Sequence, residues 1–436
     1  MAEIKNVVIV GAGVSGLISA YLLKSFSDVS VTIIDKGEKY EERLLDKDPD
    51  MLCGVGGAGT LGGGKLCLPP ASERIWNKTE FSTDDFQTFW KLCIFPFVNN
   101  RIRNTQYAEE ISRSFGVYEN NIYRKRYGTM LLPKPEMNSF VINLVRKNLE
   151  LGVRIDTECE LKGVAAIKDD KYLAQYYHCG IIQRKIADAI IIASGRSSAD
   201  RISSWLPQNV EIVNQCPDLG LRLSVPRTNG NIFSEVGKDV KIKTQINGIG
   251  VRTFCVCSGG DKTLVSTNRI QYYDGHFGED ITPIANLGIL ARSPKLCGYN
   301  YAEEYCSCLK KYANSEMTLS DFVKNWNKLI SETSIFDEIL YALVCFIKRL
   351  QAGGKFPENL DLDQCPVFIP SVDNLSPMVN TNKHFETNCH NLYVIGDACG
   401  MSRGFIQSMW SGFCASKNII SKCEYGIEDK RRRNIL

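Results

Sequence analysis

The sequence predicts an α/β fold, because apolar strands alternate with helical segments around glycine-rich turns. The first strand runs from Asn6 to Val10 and is a continuous apolar run after its first residue, as expected where both faces of a sheet are covered. A helix is predicted from about Val14 to Ser25, and a second strand from Val29 to Asp35. This order completes a βαβ unit of the Rossmann type.

The turn after the first strand reads Gly11-Ala12-Gly13-Val14-Ser15-Gly16. Its glycines permit a tight turn, close approach of a pyrophosphate and close helix packing, and the helix N-terminus offers N–H groups to the phosphates. Asp35 lies 19 residues after Gly16, where a carboxylate can accept hydrogen bonds from ribose hydroxyls. The predicted dinucleotide-binding residues here are Gly11, Gly13, Val14, Ser15, Gly16, Asp35 and Lys36. This fingerprint leaves the choice between NAD and FAD open.

Two later segments favour FAD. A strand from Ala187 to Ala193 runs into Ser194-Gly195-Arg196, and a strand beginning at Asn391 ends in Gly396-Asp397. They are similar to the later signatures of glutathione-reductase-type FAD proteins, with Ser194 in place of threonine. The resemblance implies that Asp397 holds a ribityl hydroxyl of FAD.

A helix predicted from Gly404 to Ser421 follows the second of these segments. Its N-terminus is expected to face the pyrimidine ring of the flavin, where the helix dipole favours the anionic reduced form. We therefore count Gly404, Phe405 and Ile406 among the predicted cofactor contacts.

A second glycine-rich stretch, residues 54–64, holds seven glycines among eleven residues and is followed by Lys65. Such density indicates backbone that passes close to another group, and we expect this loop to lie over the flavin. The alternative is a flexible surface loop. The cofactor contacts predicted here are Gly57, Gly59, Thr60 and Gly64.

The chain resembles a little-characterised family of bacterial FAD-dependent dehydrogenases within the glutathione-reductase-type superfamily. The motifs that carry the resemblance span most of the chain and are the N-terminal fingerprint, Glu41-Glu42-Arg43, Gly56 to Thr60, Gly64-Lys65-Leu66, Gly195-Arg196-Ser197 with Asp200, Leu219 to Arg222, Phe254 to Gly260, and the closing strand and helix. The chain departs from the family at Gly62-Gly63, where Ser-Asp is usual, and at Ser258, where proline is usual. Substrate and reaction therefore need not carry over.

The resemblance places Lys65 beside the cofactor, which makes it a candidate catalytic residue. Its ammonium group could pair with the anionic reduced flavin or with a substrate carboxylate. Arg403, just before the closing helix, is the alternative cation.

The order of segments predicts a discontinuous FAD domain made of residues 1–75, 130–215 and 376–436. Residues 76–129 are predicted to be a helical insertion, and residues 216–375 an inserted α+β substrate domain with strands between Ile246 and Asn268. The substrate is expected between this domain and the flavin, since clefts between domains commonly hold ligands.

Composition excludes several other classes of protein. The 436 residues carry a net charge of +3, too balanced for a broad nucleic-acid surface, and we interpret the basic tail at residues 430–433 as a solvated terminus. No secretory signal precedes the first strand and no run of about 20 apolar residues exists, so a cytoplasmic location is expected. The 17 cysteines lack a Cys-x-x-Cys pair, which favours reduced thiols and disfavours a metal or dithiol mechanism.

The leading functional hypothesis is an FAD-dependent oxidoreductase that transfers a hydride between flavin N5 and a small organic substrate. One alternative is a flavin monooxygenase, because Gly195 to Ser198 followed by Arg201 loosely resembles a motif of aromatic hydroxylases, although its Asp is replaced by Ser194. Another is a non-catalytic redox sensor. No second unit in which a strand, Gly-x-Gly-x-x-Gly and a helix follow one another appears after residue 16, so any NAD(P)H, or a protein electron donor in its place, is expected to act transiently.

Overall fold

The α/β fold is confirmed by a computed structural model, in which a parallel Rossmann sheet and a separate antiparallel sheet lie side by side. The structure describes residues 3–45, 50–61, 64–98, 115–119, 122–132, 134–168, 170–226, 239–276, 282–313, 316–329, 334–353 and 360–424. The predicted first helix spans Val14–Phe26.

Five parallel strands of the Rossmann sheet lie within the described residues. In spatial order they are Leu392–Val394, Ala189–Ile192, Asn6–Val10, Ser30–Ile34 and Arg154–Asp156. The first strand therefore lies at the centre, which explains its almost wholly apolar sequence. The turns that follow this strand and both of its neighbours open at the same edge of the sheet, where ligands of such folds bind.

The large antiparallel sheet has seven strands in the part of the chain that the structure describes. In spatial order they are Val367–Asp373, Asp218–Pro226, Ile284–Arg292, Ile249–Ser258, Asp239–Ile246, Ile122–Tyr127 and Phe115–Glu119. The hairpin Asp261–Ser266 with Gln271–His276 packs beside this sheet.

Smaller sheets complete the strand set. They are the three-stranded sheet of Glu160–Ala166, Tyr172–His178 and Ile181–Ala187, the pair Gly64–Cys67 with Thr129–Leu132, and the pair Ile212–Val213 with Met378–Val379.

Helices cover both sheets. In the described part of the chain the other α-helices are Tyr40–Leu45, Ala58–Leu61, Glu73–Lys78, Thr83–Phe89, Lys134–Glu150, Ile202–Trp205, Tyr299–Leu309, Leu319–Asn325, Asp337–Ala352 and Phe405–Glu424. A π-helical turn covers Trp90–Ile94, and 3₁₀ turns cover Gly195–Ser198, Lys310–Tyr312, Trp326–Lys328, Ser334–Phe336, Leu362–Gln364 and Gly396–Cys399.

The closing helix packs very closely on the first helix. A Cβ atom at Gly412 would lie 2.7 Å from the Ser15 carbonyl oxygen, and the Ser416 hydroxyl donates to the Ser19 carbonyl over 3.3 Å. This contact brings the two ends of the chain together on one side of the Rossmann sheet. Each sheet has its own apolar core. The core of the Rossmann sheet is built around the strand Asn6–Val10, and that of the large antiparallel sheet around the helix Asp337–Ala352.

The predicted helical insertion is wrong over residues 115–127. Among its described residues the first part is helical, whereas Phe115–Glu119 and Ile122–Tyr127 form a hairpin at the edge of the large sheet. The second of these strands carries Arg124, Lys125 and Arg126, so it lacks the apolar alternation by which strands are recognised.

The prediction of uniformly reduced cysteines is also corrected, because Cys216 and Cys297 form a disulfide. These residues are 81 positions apart, so sequence spacing gave no signal for the pairing. Among the helices that the structure describes, none is long and apolar enough to cross a membrane. The basic residues at 430–433 lie outside the described residues.

Candidate functional site

The three fingerprint glycines have different structural roles. Gly11 has φ +107°, and a Cβ atom there would lie 2.5 Å from the Ala193 carbonyl oxygen. At Gly16 a Cβ atom would lie 2.0 Å from the Gly11 carbonyl oxygen, so both of these glycines are required by the turn itself. Gly13 has φ −70°, and a Cβ atom there would have no neighbour within 4 Å. A side chain at Gly13 would therefore enter the open space in front of the helix N-terminus.

Asp35 organises this turn. One carboxylate oxygen accepts from the Ala12 amide over 2.7 Å, and the other accepts from the Gly37 and Gly54 amides, each over 2.9 Å. Its side chain is largely buried. The carboxylate therefore ties together three separate backbone segments. A carboxylate has about four acceptor positions, which leaves room for a ribose hydroxyl as well.

The second glycine-rich stretch packs against the fingerprint. The Gly56 amide donates to the Ala12 carbonyl over 2.8 Å, and a Cβ atom at Gly57 would lie 3.1 Å from the Gly13 Cα atom. The buried Arg43 side chain donates to carbonyls of this stretch, including that of Val55 at 2.7 Å. The stretch is therefore a second wall of the same site. Gly62 and Gly63 lie outside the described residues, and the side chain of Thr60 is not described.

The turns that follow the strands Ala189–Ile192 and Leu392–Val394 lie in contact with each other. Gly195 has φ +63°, and a Cβ atom there would have no neighbour within 4 Å. The Arg196 guanidinium lies 3.4 Å from the Asp397 carboxylate and donates to the Tyr272 hydroxyl over 2.7 Å. Arg196 thus connects the Rossmann sheet to the hairpin beside the large sheet. Arg201, the last residue of the hydroxylase-like pattern, pairs with Glu160.

A cavity of about 900 Å³ is lined by residues of both sheets, and its volume is at the upper end of the range of roughly 300–1,000 Å³ for ligand pockets. Most predicted cofactor contacts line it: Gly11, Gly13, Val14, Ser15, Asp35, Lys36, Gly57, Gly59, Gly64, Ser194, Gly195, Arg196, Asp397, Gly404 and Phe405. Of the other predicted contacts whose side chains the structure describes, Gly16, Gly396 and Ile406 do not line it. The Ile406 side chain is fully buried in the core, and Gly396 lies against the Ser15 side chain behind the cavity wall.

The cavity wall carries a net positive charge. Eleven lysine or arginine side chains and seven aspartate or glutamate side chains line it. At one end, Lys125, Lys241 and Lys243 come from adjacent strands of the large sheet. Burial, followed by repulsion from Lys241, lowers the pKa of Lys243 to about 8. This distribution favours anionic ligands.

Asp274 is the hub of an ion-pair cluster between the two sheets. Its carboxylate lies 3.2 Å from Arg222, 3.5 Å from Arg196 and 3.6 Å from Arg403. The Arg222 side chain is completely buried. Burial disfavours the charged carboxylate, but the three arginines outweigh it and hold the pKa of Asp274 below its ordinary value of 3.8.

The two candidate catalytic cations both line the cavity. The Lys65 amine donates to the Val256 carbonyl over 2.8 Å, which places it against the strand Ile249–Ser258. Arg403 pairs with Asp373 and Asp274 and lies over the Phe254 ring, 4.7 Å from its centroid. The positive charge of Arg403 is therefore balanced within the protein.

Sequence reasoning missed several cavity residues. Asp274 and Lys243 have no motif around them, and only the fold brings them to the cavity. Cys255 and Cys257 are one residue closer than Cys-x-x-Cys, yet their sulfur atoms are 3.7 Å apart and Cys255 lines the cavity. A signal did exist, since residues two apart on a strand share one face. Within the described residues, no group of three or more metal-ligating side chains occurs.

A family model described as an NAD(P)-binding Rossmann-like domain matches residues 9–40. The N-terminal βαβ unit is therefore Rossmann-like. The match covers the fingerprint and Asp35, and it does not separate NAD from FAD. A comparison with curated protein sequences gave no match.

Several solved structures are similar to this chain. A flavin-dependent halogenase is 11% identical, with 98% of this chain and 60% of that chain covered and a TM-score of 0.42. A flavoprotein/dehydrogenase from Cytophaga hutchinsonii is 11% identical, with coverages of 96% and 79% and a TM-score of 0.43. A geranylgeranyl bacteriochlorophyll reductase-like protein from Thermoplasma acidophilum is 14% identical, with coverages of 98% and 81% and a TM-score of 0.41. Similarity at this level leaves the reaction open.

Proposed function

We propose that the protein is an FAD-dependent oxidoreductase that acts on a small organic substrate in the cavity between its two sheets. The observation that carries the proposal is the continuity of this cavity, which runs from the Gly13 turn past Asp397 to Gly404 at the closing helix. A site with a phosphate-binding turn at one end and a second helix N-terminus at the other suits an extended dinucleotide.

The residues present fit FAD on geometric grounds. Gly13 and Gly195 both face open space, so backbone lines the cavity where a pyrophosphate and a ribityl chain would pass. Asp397 would bind a ribityl hydroxyl, and Arg196 orients it. When bound, FAD supplies hydride transfer at N5. The chain supplies binding, orientation and a positively charged wall for an anionic partner.

The proposal is tested by purifying the protein and identifying its chromophore by absorbance and by mass spectrometry after denaturation. Noncovalent FAD is the expected result. Anaerobic mixing with a panel of metabolites, followed at the flavin absorbance band, then identifies the substrate. Substrate-dependent oxygen consumption with oxygen insertion would instead indicate the monooxygenase, and a flavin that no metabolite reduces or reoxidises would indicate the sensor.

We expect direct reduction by NADH or NADPH to be slow or absent without substrate. Among the described residues, the Rossmann sheet, which carries the fingerprint, is the only parallel sheet. A nicotinamide would therefore have to bind transiently in the same cavity. Stopped-flow reduction with each nucleotide measures this, and a tight, saturable NADPH site in the absence of substrate would contradict it.

We expect Lys65→Met to slow single-turnover flavin reduction at least about tenfold, or to lower the flavin midpoint potential. The reason is loss of a charge-assisted interaction of about 1.5–3 kcal/mol with the reduced flavin or with a substrate carboxylate, since each 1.36 kcal/mol corresponds to a factor of ten. Lys65→Arg keeps the positive charge and should therefore retain part of the wild-type reduction rate and midpoint potential. Lys125→Met is the matched control, because Lys125 lines the same cavity but pairs with Glu73.

Unchanged potential, rate and substrate affinity in Lys65→Met would remove Lys65 from the catalytic machinery. Arg403 would then be the better candidate. An equal effect in Lys125→Met would show that the rate responds to the total charge of the cavity and not to the position of Lys65.

A further inference from the structure

Two cysteine thiols meet at the wall of the cavity. Cys255 and Cys257 lie on the strand Ile249–Ser258, with their sulfur atoms 3.7 Å apart. The Cys255 side chain is partly exposed and lines the cavity, whereas Cys257 is buried. A disulfide bond of about 2.05 Å would require the sulfur atoms to move roughly 1.6 Å closer.

The backbone around this pair is irregular. Cys255 has φ +44°, a left-handed conformation that residues with a side chain seldom adopt. The pairing with the strand Ile284–Arg292 shifts register between Phe254 and Cys257, which marks a β-bulge. Such strained positions are found preferentially at functional sites.

The surroundings of the pair are also specific. A Cβ atom at Gly275 would lie 2.7 Å from the Cys257 sulfur and 2.6 Å from the Arg222 guanidinium, so a glycine is required behind the pair. The Lys65 amine binds the carbonyl of Val256, the residue between the two cysteines. The thiols are thus held between a buried arginine and a cavity lysine.

We propose that Cys255 and Cys257 form a redox-active dithiol that exchanges with small anionic disulfides entering the cavity. The site goes beyond the proposed flavin chemistry and does not depend on it. The positive wall of the cavity is the reason to expect an anionic disulfide.

The chemistry balances without a cofactor. The Cys255 thiolate attacks one sulfur of the disulfide RSSR, which forms a mixed disulfide and releases RS⁻. Cys257 then attacks the Cys255 sulfur, the Cys255–Cys257 bond forms, and the second RS⁻ leaves. The proton lost by Cys257 goes to a released thiolate, so the dithiol loses two electrons and RSSR gains two.

The two thiols differ in the way that this order requires. A hydrogen bond from Cys257, together with the charges of Lys65 and Arg222, lowers the pKa of Cys255 to about 6 against the opposing effects of burial and Asp274. The same hydrogen bond, reinforced by burial, raises the pKa of Cys257. Cys255 is therefore the attacking thiolate at neutral pH, and Cys257 is the resolving thiol.

The chain contains a matched control pair. Cys306 and Cys308 have the same spacing but lie on the helix Tyr299–Leu309. Residues two apart on a helix do not face each other, so this pair cannot close a disulfide without unfolding the helix. The two pairs therefore have the same sequence spacing and differ in whether a strand or a helix carries them.

The test uses the purified protein in buffers of varied ratio of oxidised to reduced glutathione. After acid quenching and alkylation, mass spectrometry measures the fraction of each pair present as a disulfide. We expect reversible oxidation of Cys255–Cys257 and none of Cys306/Cys308. Cys257→Ser should accumulate a mixed disulfide with glutathione at Cys255, and Cys255→Ser should react at least tenfold more slowly at position 257.

The pH dependence gives an independent readout. Alkylation of Cys255 by iodoacetamide should have a midpoint near pH 6, and Lys65→Met should move this midpoint upward. Wild-type protein that stays a dithiol at every glutathione ratio would overturn the proposal, and this measurement does not depend on the folding of any variant. Absence of a glutathione adduct at Cys255 in folded Cys257→Ser would overturn it as well. Exchange should persist in Gly13→Val protein that binds no FAD, and its loss there would refute independence from the flavin.

Discussion

Gly13→Val should abolish FAD binding while leaving the fold intact. The backbone of Gly13 has φ −70°, which valine adopts without strain, and a Cβ atom there meets no protein atom within 4 Å. The added side chain would fill the space in front of the helix N-terminus, where the pyrophosphate must approach. We expect FAD affinity to fall at least about 100-fold, equivalent to about 2.7 kcal/mol.

The measurement is isothermal titration of flavin-free protein with FAD, with circular dichroism to check the fold. Added FAD should raise the melting temperature of wild type and not that of the variant. Gly163→Val is the matched control, because Gly163 lies in the outer three-stranded sheet and the nearest atom to its Cβ position is 3.8 Å away. Gly13→Val protein that retains stoichiometric FAD would overturn the assignment of the fingerprint.

The atoms that an added Cβ atom would meet also explain why Gly11 and Gly16 are poor positions for testing FAD binding. Side chains there would collide with backbone carbonyl oxygens, so their substitution would damage the turn and the ligand site together. Sequence reasoning assigned the three glycines to a tight turn, to close approach of a pyrophosphate and to helix packing, and the structure adds which atoms a side chain would meet at each position.

The Rossmann half of the fold was predictable because its signals are local. Strand, turn and helix follow one another within a short segment, and the apolar run of Asn6–Val10 directly reflects its central position in the sheet. The closing strand and helix were predictable for the same reason, and both adjoin the cavity as expected.

The large sheet was harder to predict where its strands face the cavity. Ile122–Tyr127 and Asp239–Ile246 each place lysines on the cavity wall, and these charges interrupt the apolar alternation that identifies a strand. Polar residues that line the cavity therefore weaken the sequence pattern by which their strand would be recognised. The helical interpretation of Ile122–Tyr127 failed for this physical reason.

The ion-pair cluster could not be predicted from sequence at all. Arg196, Arg222, Asp274 and Arg403 come from four segments that are far apart in the chain, and none lies in a motif that names a partner. The fingerprint residues, by contrast, are positioned by the turn that contains them. The prediction of Lys65 at the cavity came from the family resemblance, and its contact with Val256 was visible only in the structure.

Asp274→Asn should destabilise the protein by about 3–5 kcal/mol, because removing one partner of a buried ion pair leaves the other charge uncompensated. The unpaired charge would be that of Arg222, whose side chain has no exposed surface. Total stabilities of about 5–15 kcal/mol make this a large fraction. Urea denaturation measures the loss. Asp261→Asn, in the same hairpin, is the control, because its pair with Lys262 is exposed at the surface and should contribute less than about 1 kcal/mol.

The pH dependence of the stability difference between wild type and Asp274→Asn follows from the direction of the Asp274 pKa shift. The pKa of Asp274 in the folded protein is below its ordinary value of 3.8, so the folded state binds the proton less tightly than the unfolded state does. The stabilisation is therefore complete above pH 3.8 and is lost as the pH falls through the lower folded value. The gap between wild type and Asp274→Asn should accordingly be constant near neutral pH and shrink in acid, while Asp274→Glu should retain part of the stability and the same acid dependence. A gap below about 1 kcal/mol at pH 7 would show that the buried Arg222 is compensated by its contacts with Asn286 and the Cys255 carbonyl alone.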